Sequence, residues 1–214
     1  MGAGKTALRV VAAAAALAAM VGGADAGDVE RGKAKAVACI ACHGATGIGT
    51  RPEIPNLAGQ HEAYLAAQIK TFRRAARGEN KPGEPTFRYD AVMGHQAAGL
   101  SEAAAEDLAA YYASRPCVPE KLDKGPAAVD MAKPCAECHG AFGRSTNALV
   151  PRLAGQHDAY LENQLKAFRG SGRGQPSGVV QRLRVHPAMG PRGLVLNDQD
   201  IAELSAYFSG LSCR

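Results

Sequence analysis

Two pentapeptides in this chain carry residue types from which a cofactor site is built: Cys39-Ile40-Ala41-Cys42-His43 and Cys135-Ala136-Glu137-Cys138-His139. Both fit the C-x-x-C-H pattern of covalent haem attachment. The spacing has a physical basis. Thiols three positions apart lie on one side of a helical turn, so both can bond the vinyl-derived carbons along one haem edge. The His that follows turns its imidazole toward the iron from one face. Zinc is the main competing reading, but zinc-ribbon Cys pairs sit about 15 to 20 residues apart, whereas 92 residues lie between Cys42 and Cys135. A thioredoxin-like redox pair would need a βαβ context, and the chain shows no strand pattern to supply one.

The two motifs are copies. A single offset of 96 residues carries Cys39 to Cys135, Cys42 to Cys138, His43 to His139, Pro55 to Pro151, Met93 to Met189 and Cys117 to Cys213, with no insertion between them. Over residues 55–73 and 151–169, 13 of 19 positions are identical. The copies matter for the sixth iron position, whose occupant separates a carrier from an enzyme. Met93 lies 50 residues after His43 and Met189 lies 50 after His139, each followed by Gly. A thioether at the iron favours the ferrous state and raises the potential. His61 and His157, also duplicated, are the competing axial ligands, but their place at the start of a strongly patterned helix points to a structural role. His95 and His186 have no repeat partners and read as surface residues; Met131 reads as filler.

Pro55 and Pro151 each follow the motif His by 12 residues. Their carbonyls are candidate acceptors for the second ring N–H of that His, a bond that fixes the tautomer of a metal-bound imidazole. Cys117 and Cys213 close the two copies. In an oxidising compartment they could pair, but connectivity is not readable from sequence.

The elements that must position these groups are helical, and the fold class expected is all-α. Residues 28–42 suit a first helix ending at the cysteine motif. Tyr64, Leu65, Gln68, Ile69 and Phe72, and again Tyr160, Leu161, Gln164, Leu165 and Phe168, recur at helical spacing. Ser101 and Asn197 are N-caps for a third helix in each copy. Between the second and third helices run long loops, 78–92 and 174–188, and each loop ends in its Met. The expected domains are 28–117 and 127–214, joined by a Pro- and charge-rich linker, 118–126. Units this small commonly need a staple such as a metal or a covalent group.

The 214 residues are 46% hydrophobic and 21% charged, an ordinary balance for a globular chain, yet only 5% are aromatic and Trp is absent. Something other than aromatic side chains should fill two small cores. Residues 1–26 read as a cleaved secretory signal: Lys5 and Arg9 precede an Ala-rich run too short to span a bilayer, and Ala24-Asp25-Ala26 supplies small residues at the cleavage positions. The expected compartment is the periplasm. A net charge of +5 without clustered basic runs is not a nucleic-acid signature, and peripheral membrane association stays open. Arg182, Arg184 and Arg192 read as a solvated loop, with a docking face for a redox partner as the alternative.

These residues resemble the dihaem cytochromes c4, which carry two class I cytochrome c domains in tandem. The resemblance rests on both C-x-x-C-H motifs, on the Leu-Ala-Gly-Gln-His-x-x-Tyr-Leu segments followed by Gln68 and Gln164, and on the Met-Gly pairs before the Leu-Ser and Leu-Asn helix starts. It implies two covalent haem c groups held by Cys39, Cys42, Cys135 and Cys138. It also implies axial ligation by His43 with Met93 and His139 with Met189, and haem edges facing the lobe interface. The implied activity is single-electron transfer from a bc1-type donor toward a terminal oxidase. A dihaem subunit of a periplasmic dehydrogenase, such as a flavocytochrome sulfide dehydrogenase, is the alternative. A peroxidase would need an open iron position, which two matched Met segments argue against. The resemblance assigns no role to Cys117 and Cys213.

Overall fold

The computed structural model describes residues 27–81, 84–117, 130–173 and 182–213. The expected signal, 1–26, and the expected linker, 118–126, lie outside these residues. In the first lobe, helix α1 (Val29–Ala36) starts at Asp28, whose carboxylate accepts the Arg31 N–H. A 3-10 turn, Val37–Cys39, then leads into α2 (Ile40–His43). There follow α3 (Glu62–Ala76), strand β1 (Phe87–Asp90), α4 (Ala91–Ala98) and α5 (Glu102–Ser114). The second lobe repeats the order with a 3-10 turn at Asp130–Ala132, α6 (Lys133–His139), α7 (Asp158–Gly172), β2 (Arg182–Val185), α8 (Met189–Leu194) and α9 (Asp198–Gly210).

Both expected N-caps are present. Ser101 accepts the Ala104 N–H, and Asn197 forms a reciprocal capping box with Asp200. These caps aim the last helix of each lobe across the others. Lobe 1 buries Ala36, Leu65, Leu108, Tyr111 and Tyr112 together; lobe 2 buries Ala132, Leu161, Leu204, Tyr207 and Phe208. Edge-to-face ring pairs, Tyr111 with Tyr112 and Tyr207 with Phe208, supply most of the aromatic bulk.

Where α1 crosses α5 the backbones nearly touch. A Cβ on Gly32 would stand 1.9 Å from the Asp107 carbonyl oxygen, so only Gly fits. The same crossing holds an ionic clasp. Asp107, 2% exposed, accepts from Arg31 through Nε at 3.1 Å and Nη2 at 3.0 Å, from Lys35 Nζ at 3.0 Å, and from the Asp28 N–H at 2.8 Å. Hydrogen bonds from Arg31 and the Asp28 amide hold its carboxyl well below the usual carboxylate range. In the second copy Glu203 and Ala127 stand where Asp107 and Arg31 would repeat, so the clasp as built belongs to lobe 1.

Two features depart from the expected helix-and-loop pattern. The loops 78–92 and 174–188 are not wholly irregular: β1 and β2 pair antiparallel across the lobes, with Arg88 opposite Arg184, Phe87 opposite Val185 and Tyr89 opposite Leu183. The reason is tertiary, because each four-residue segment finds its hydrogen-bond partner only in the other lobe. Arg88 and Arg184 are also repeat equivalents, so the pairing is centred on a pseudo-twofold axis. The methionines do not end a loop either. Asp90 accepts the N–H groups of Val92 and Met93 and starts α4, placing Met93 in its first turn, and Met189 opens α8.

Cys117 and Cys213 form a disulfide between the ends of the two lobes, with Cα atoms 6.2 Å apart. Gly59 and Gly155, both at positive φ, let the backbone pass under it; a Cβ on Gly59 would stand 2.8 Å from the Cβ of Cys117.

Candidate functional site

Each cysteine motif occupies the last turn before a sharp change of direction. α2 and α6 end at Gly44 and Gly140, at φ 72° and 75°, whose N–H groups bond back to the carbonyls of Ile40 and Ala136. The chain then loops and returns, fastened where the Gly47 carbonyl accepts from Leu57 and Ala58 and the Gly143 carbonyl from Leu153 and Ala154. This return brings the proline carbonyls to the histidines. His43 Nδ1 lies 3.1 Å from the Pro55 oxygen, and His139 Nδ1 lies 2.9 Å from that of Pro151.

Both imidazoles are 6% exposed. Burial pushes their pKa values down from 6.5, opposed by the carbonyl bond, and favours the neutral ring that a metal ligand must be. With Nδ1–H donated to proline, Nε2 carries the lone pair and is the atom left for a metal. The cysteines sit beside this ring: Cys39 and Cys135 pack against their lobe cores, and Cys42 and Cys138 are exposed. Two thiols on one helical turn and a buried neutral imidazole with one free nitrogen fit a haem c, and a partly buried thioether stands in the first turn of α4 and again of α8. No group of three or more His, Cys, Asp or Glu side chains able to hold a bare metal ion occurs among the described residues.

The structure gives the remaining histidines other work. His61 Nε2 bonds the Ser145 carbonyl of the other lobe at 2.8 Å, and His157 Nε2 approaches the Gly49 carbonyl at 3.3 Å. Beside them, Gln60 accepts the Arg152 N–H and donates to its carbonyl, while Gln156 does the same for Asn56, at 2.8 to 3.0 Å. The duplicated Leu-Ala-Gly-Gln-His segment is therefore a lobe–lobe clamp. His95 and His186 are exposed, as expected; His186 Nδ1 accepts the Ala188 N–H, standing in for the Asp90 cap of lobe 1.

The solvated-loop reading is corrected for Arg184, while Arg192 stays half exposed. Arg184 is turned into the junction of the lobes, and Arg192 reaches the Pro134 carbonyl and Glu137, both at 3.4 Å. Arg88, which sequence reasoning passed over, mirrors Arg184. Its signal was its place: each Arg lies five residues before its methionine in register with the repeat.

Comparisons with known proteins agree with this geometry. A family model described as cytochrome c matches residues 29–115 and 122–212. Cytochrome c4 of Thiocapsa roseopersicina is 34% identical over 201 residues, covering 87% of this chain and 94% of that protein. A thiosulfate dehydrogenase electron acceptor of Thiomonas intermedia is 34% identical over 165 residues, covering 70% and 71% respectively. The crystal structure of reduced recombinant cytochrome c4 from Pseudomonas stutzeri matches with a TM-score of 0.66 at 31% identity, over 87% of this chain and 100% of that one. Two tandem cytochrome c domains, each with its own C-x-x-C-H motif, mean two covalent haem c groups and an electron-transfer protein. On these grounds the chain belongs to the dihaem cytochrome c4 family.

Proposed function

We propose that Cys39 and Cys42 bond one haem and Cys135 and Cys138 the other, with His43 and Met93, and His139 and Met189, as the two axial pairs. The observation that carries this is the duplicated imidazole-to-proline bond, made at the same position in both lobes. When bound, the haems supply iron that cycles between ferric and ferrous states. The chain's own residues hold that iron closed. The proline carbonyls fix ring orientation and raise the basicity of Nε2, and the Asp90 cap sets the backbone that presents Met93. With a His and a Met held at each iron, no position would be left open for a substrate, which favours a carrier over an enzyme.

The domains run from 28 to 117 and from 127 to 214, behind a signal peptide that directs the chain to the periplasm. There it passes single electrons from a bc1-type donor toward a terminal oxidase. No helix among the described residues is long and apolar enough to cross a membrane, which suits a partner met by transient docking. The similarity to a thiosulfate dehydrogenase electron acceptor is the observation behind a second reading, in which this chain is the dihaem cytochrome subunit of a periplasmic dehydrogenase.

The deciding experiment is absorption of the oxidised protein in the far red, where a sulfur-to-iron band reports methionine ligation. Met93→Ala and Met189→Ala should each remove about half of it. A band absent from the parent, or lost in only one variant, would refute the paired assignment. Reduction by an isolated bc1-type complex favours the first reading; co-purification with a dehydrogenase subunit favours the second.

A further inference from the structure

Two guanidinium groups meet at the pseudo-twofold axis. Arg88 Nη1 donates to Gln68 Oε1 at 2.7 Å, and its Nη2 donates to Tyr160 Oη at 2.8 Å and Gln164 Oε1 at 3.1 Å. Arg184 mirrors it: Nη1 donates to Gln164 Oε1 at 2.6 Å, and Nη2 to Tyr64 Oη at 2.8 Å and Gln68 Oε1 at 3.4 Å. Each guanidinium lies over a phenyl ring of its own lobe, Phe72 at 4.5 Å and Phe168 at 4.4 Å. Each is therefore gripped by one lobe through the ring and by both lobes through its hydrogen bonds.

All of these partners are neutral. Like charges directly opposite in an antiparallel pair repel, and charges withdrawn from water are normally paired with opposite charge. Two cations facing each other with no carboxylate hydrogen-bonded to either make a site with room for further negative charge. Asp90 acts on Arg88 electrostatically, but its Oδ1 accepts from the start of α4 and no bond joins it to the guanidinium. No carboxylate makes an ion pair with either guanidinium among the described residues.

The haems bring carboxylates, and the location is right for them. Arg88 and Arg184 each lie five residues before the methionine assigned to the iron. β1 and β2, which carry the two arginines, lead into α4 and α8, which carry those methionines. We propose that Arg88 and Arg184 are a shared counter-charge for a propionate from each haem, so that both irons feel one common pair of cations. The proposal rests on the haem placement above. The residues act by position and charge and touch the propionates, not the iron.

The test is spectroelectrochemical titration of the full-length dihaem protein as a function of pH, on the parent, Arg88→Gln and Arg184→Gln. Loss of one cation stabilises ferric iron, so potentials should shift downward. Because the cations are shared, each single substitution should shift both haems. In the parent the carboxylates stay ionised and the potentials are flat near neutral pH. In the glutamine variants they should fall with rising pH, because reduction now draws a proton onto a propionate. The other titratable groups facing the pair are Tyr64 on α3, Tyr160 on α7, Asp90 on β1 and His186 beyond β2, so His186→Asn and Asp90→Asn are run alongside and should leave the new slope in place. Arg88→Lys and Arg184→Lys keep the charge and should keep both potentials near the parent's. They carry the test if the glutamine forms do not accumulate.

Unchanged potentials in the glutamine variants, or shifts confined to the haem of the mutated lobe, would overturn the proposal, as would lysine forms that shift as far as glutamine. A solution anion is the other source of the same chemistry. Potentials of the parent that move with inorganic phosphate at constant ionic strength would overturn the assignment to propionate. The far-red band separates the two failures: a band intact in the parent with unmoved potentials sinks the charge pair alone, whereas its absence sinks the ligand placement.

Discussion

Replacing Cys117 and Cys213 together by serine should weaken one half of the molecule far more than the other. The disulfide joins residues 96 apart, and the loop it closes, 118–212, contains the second lobe and leaves the first outside. In the chain-entropy account, closing a loop of about 100 residues removes about 4.7 kcal/mol of freedom from the unfolded state at 25 °C. That freedom is released when residues 118–212 unravel, so the loss falls on the unfolding of lobe 2. Unfolding of lobe 1 is affected only through the shared interface. Urea titrations of the oxidised protein, followed by far-ultraviolet circular dichroism and the Soret band, should resolve two steps, because the lobes have separate cores. The expected change is a loss of roughly 4 kcal/mol on one step and under about 1 kcal/mol on the other. Equal losses on both steps, or a total below about 1 kcal/mol, would refute the loop argument. Covalent haem attachment and the far-red band should be unchanged, since neither cysteine belongs to a haem motif.

The Asp107 clasp gives a pH-dependent prediction. Asp107→Asn removes the charge that Arg31 and Lys35 grip and should cost lobe 1 about 2 kcal/mol at neutral pH. The folded-state pKa lies below the usual 3.8, so the stabilisation is whole above about pH 4 and is lost as pH falls through the folded value. Chemical denaturation at pH 7 and pH 3 should find parent and variant converging in acid; a gap that widens there would refute the assignment. Gln60→Ala removes both cross-lobe bonds to Arg152 and should loosen docking by about 2 kcal/mol without touching either core. Hydrogen exchange should speed at the Arg152 amide while Leu108 and Leu204 stay protected. Faster exchange at those two core residues instead would show that Gln60 acts within its lobe.

What was legible in the sequence follows the range over which each feature is determined. The cysteine motifs, the Ser101 and Asn197 caps and the helical faces of α3 and α7 depend on residues within a turn or two, and the repeat doubled each signal. The His-to-proline bond was readable because 12 residues of chain return to their own starting point within one lobe. The strands were not readable, since Phe87–Asp90 pairs with a segment nearly a hundred residues away and nothing local marks it. Arg184 was misplaced for the same reason: its surroundings are Tyr64 and Gln68 of the other lobe. The methionines were set in loops because the cap that starts α4, Asp90, has no copy in lobe 2, where His186 takes its place. The disulfide needed the lobe arrangement before its two ends could be seen to meet.

The Gln-His clamp, the strand pair and the arginine pair all obey the same twofold relation, and this governs how the junction fails. In the clamp every contact is present twice, Gln60 on Arg152 and Gln156 on Asn56, His61 on Ser145 and His157 on Gly49. A substitution in one gene segment deletes one member of a pair and leaves its reflection standing. Damage to the clamp thus comes in halves, and a joined pair of lobes can tolerate changes that a symmetric dimer of single lobes, altered on both sides at once by the same substitution, would suffer twice over.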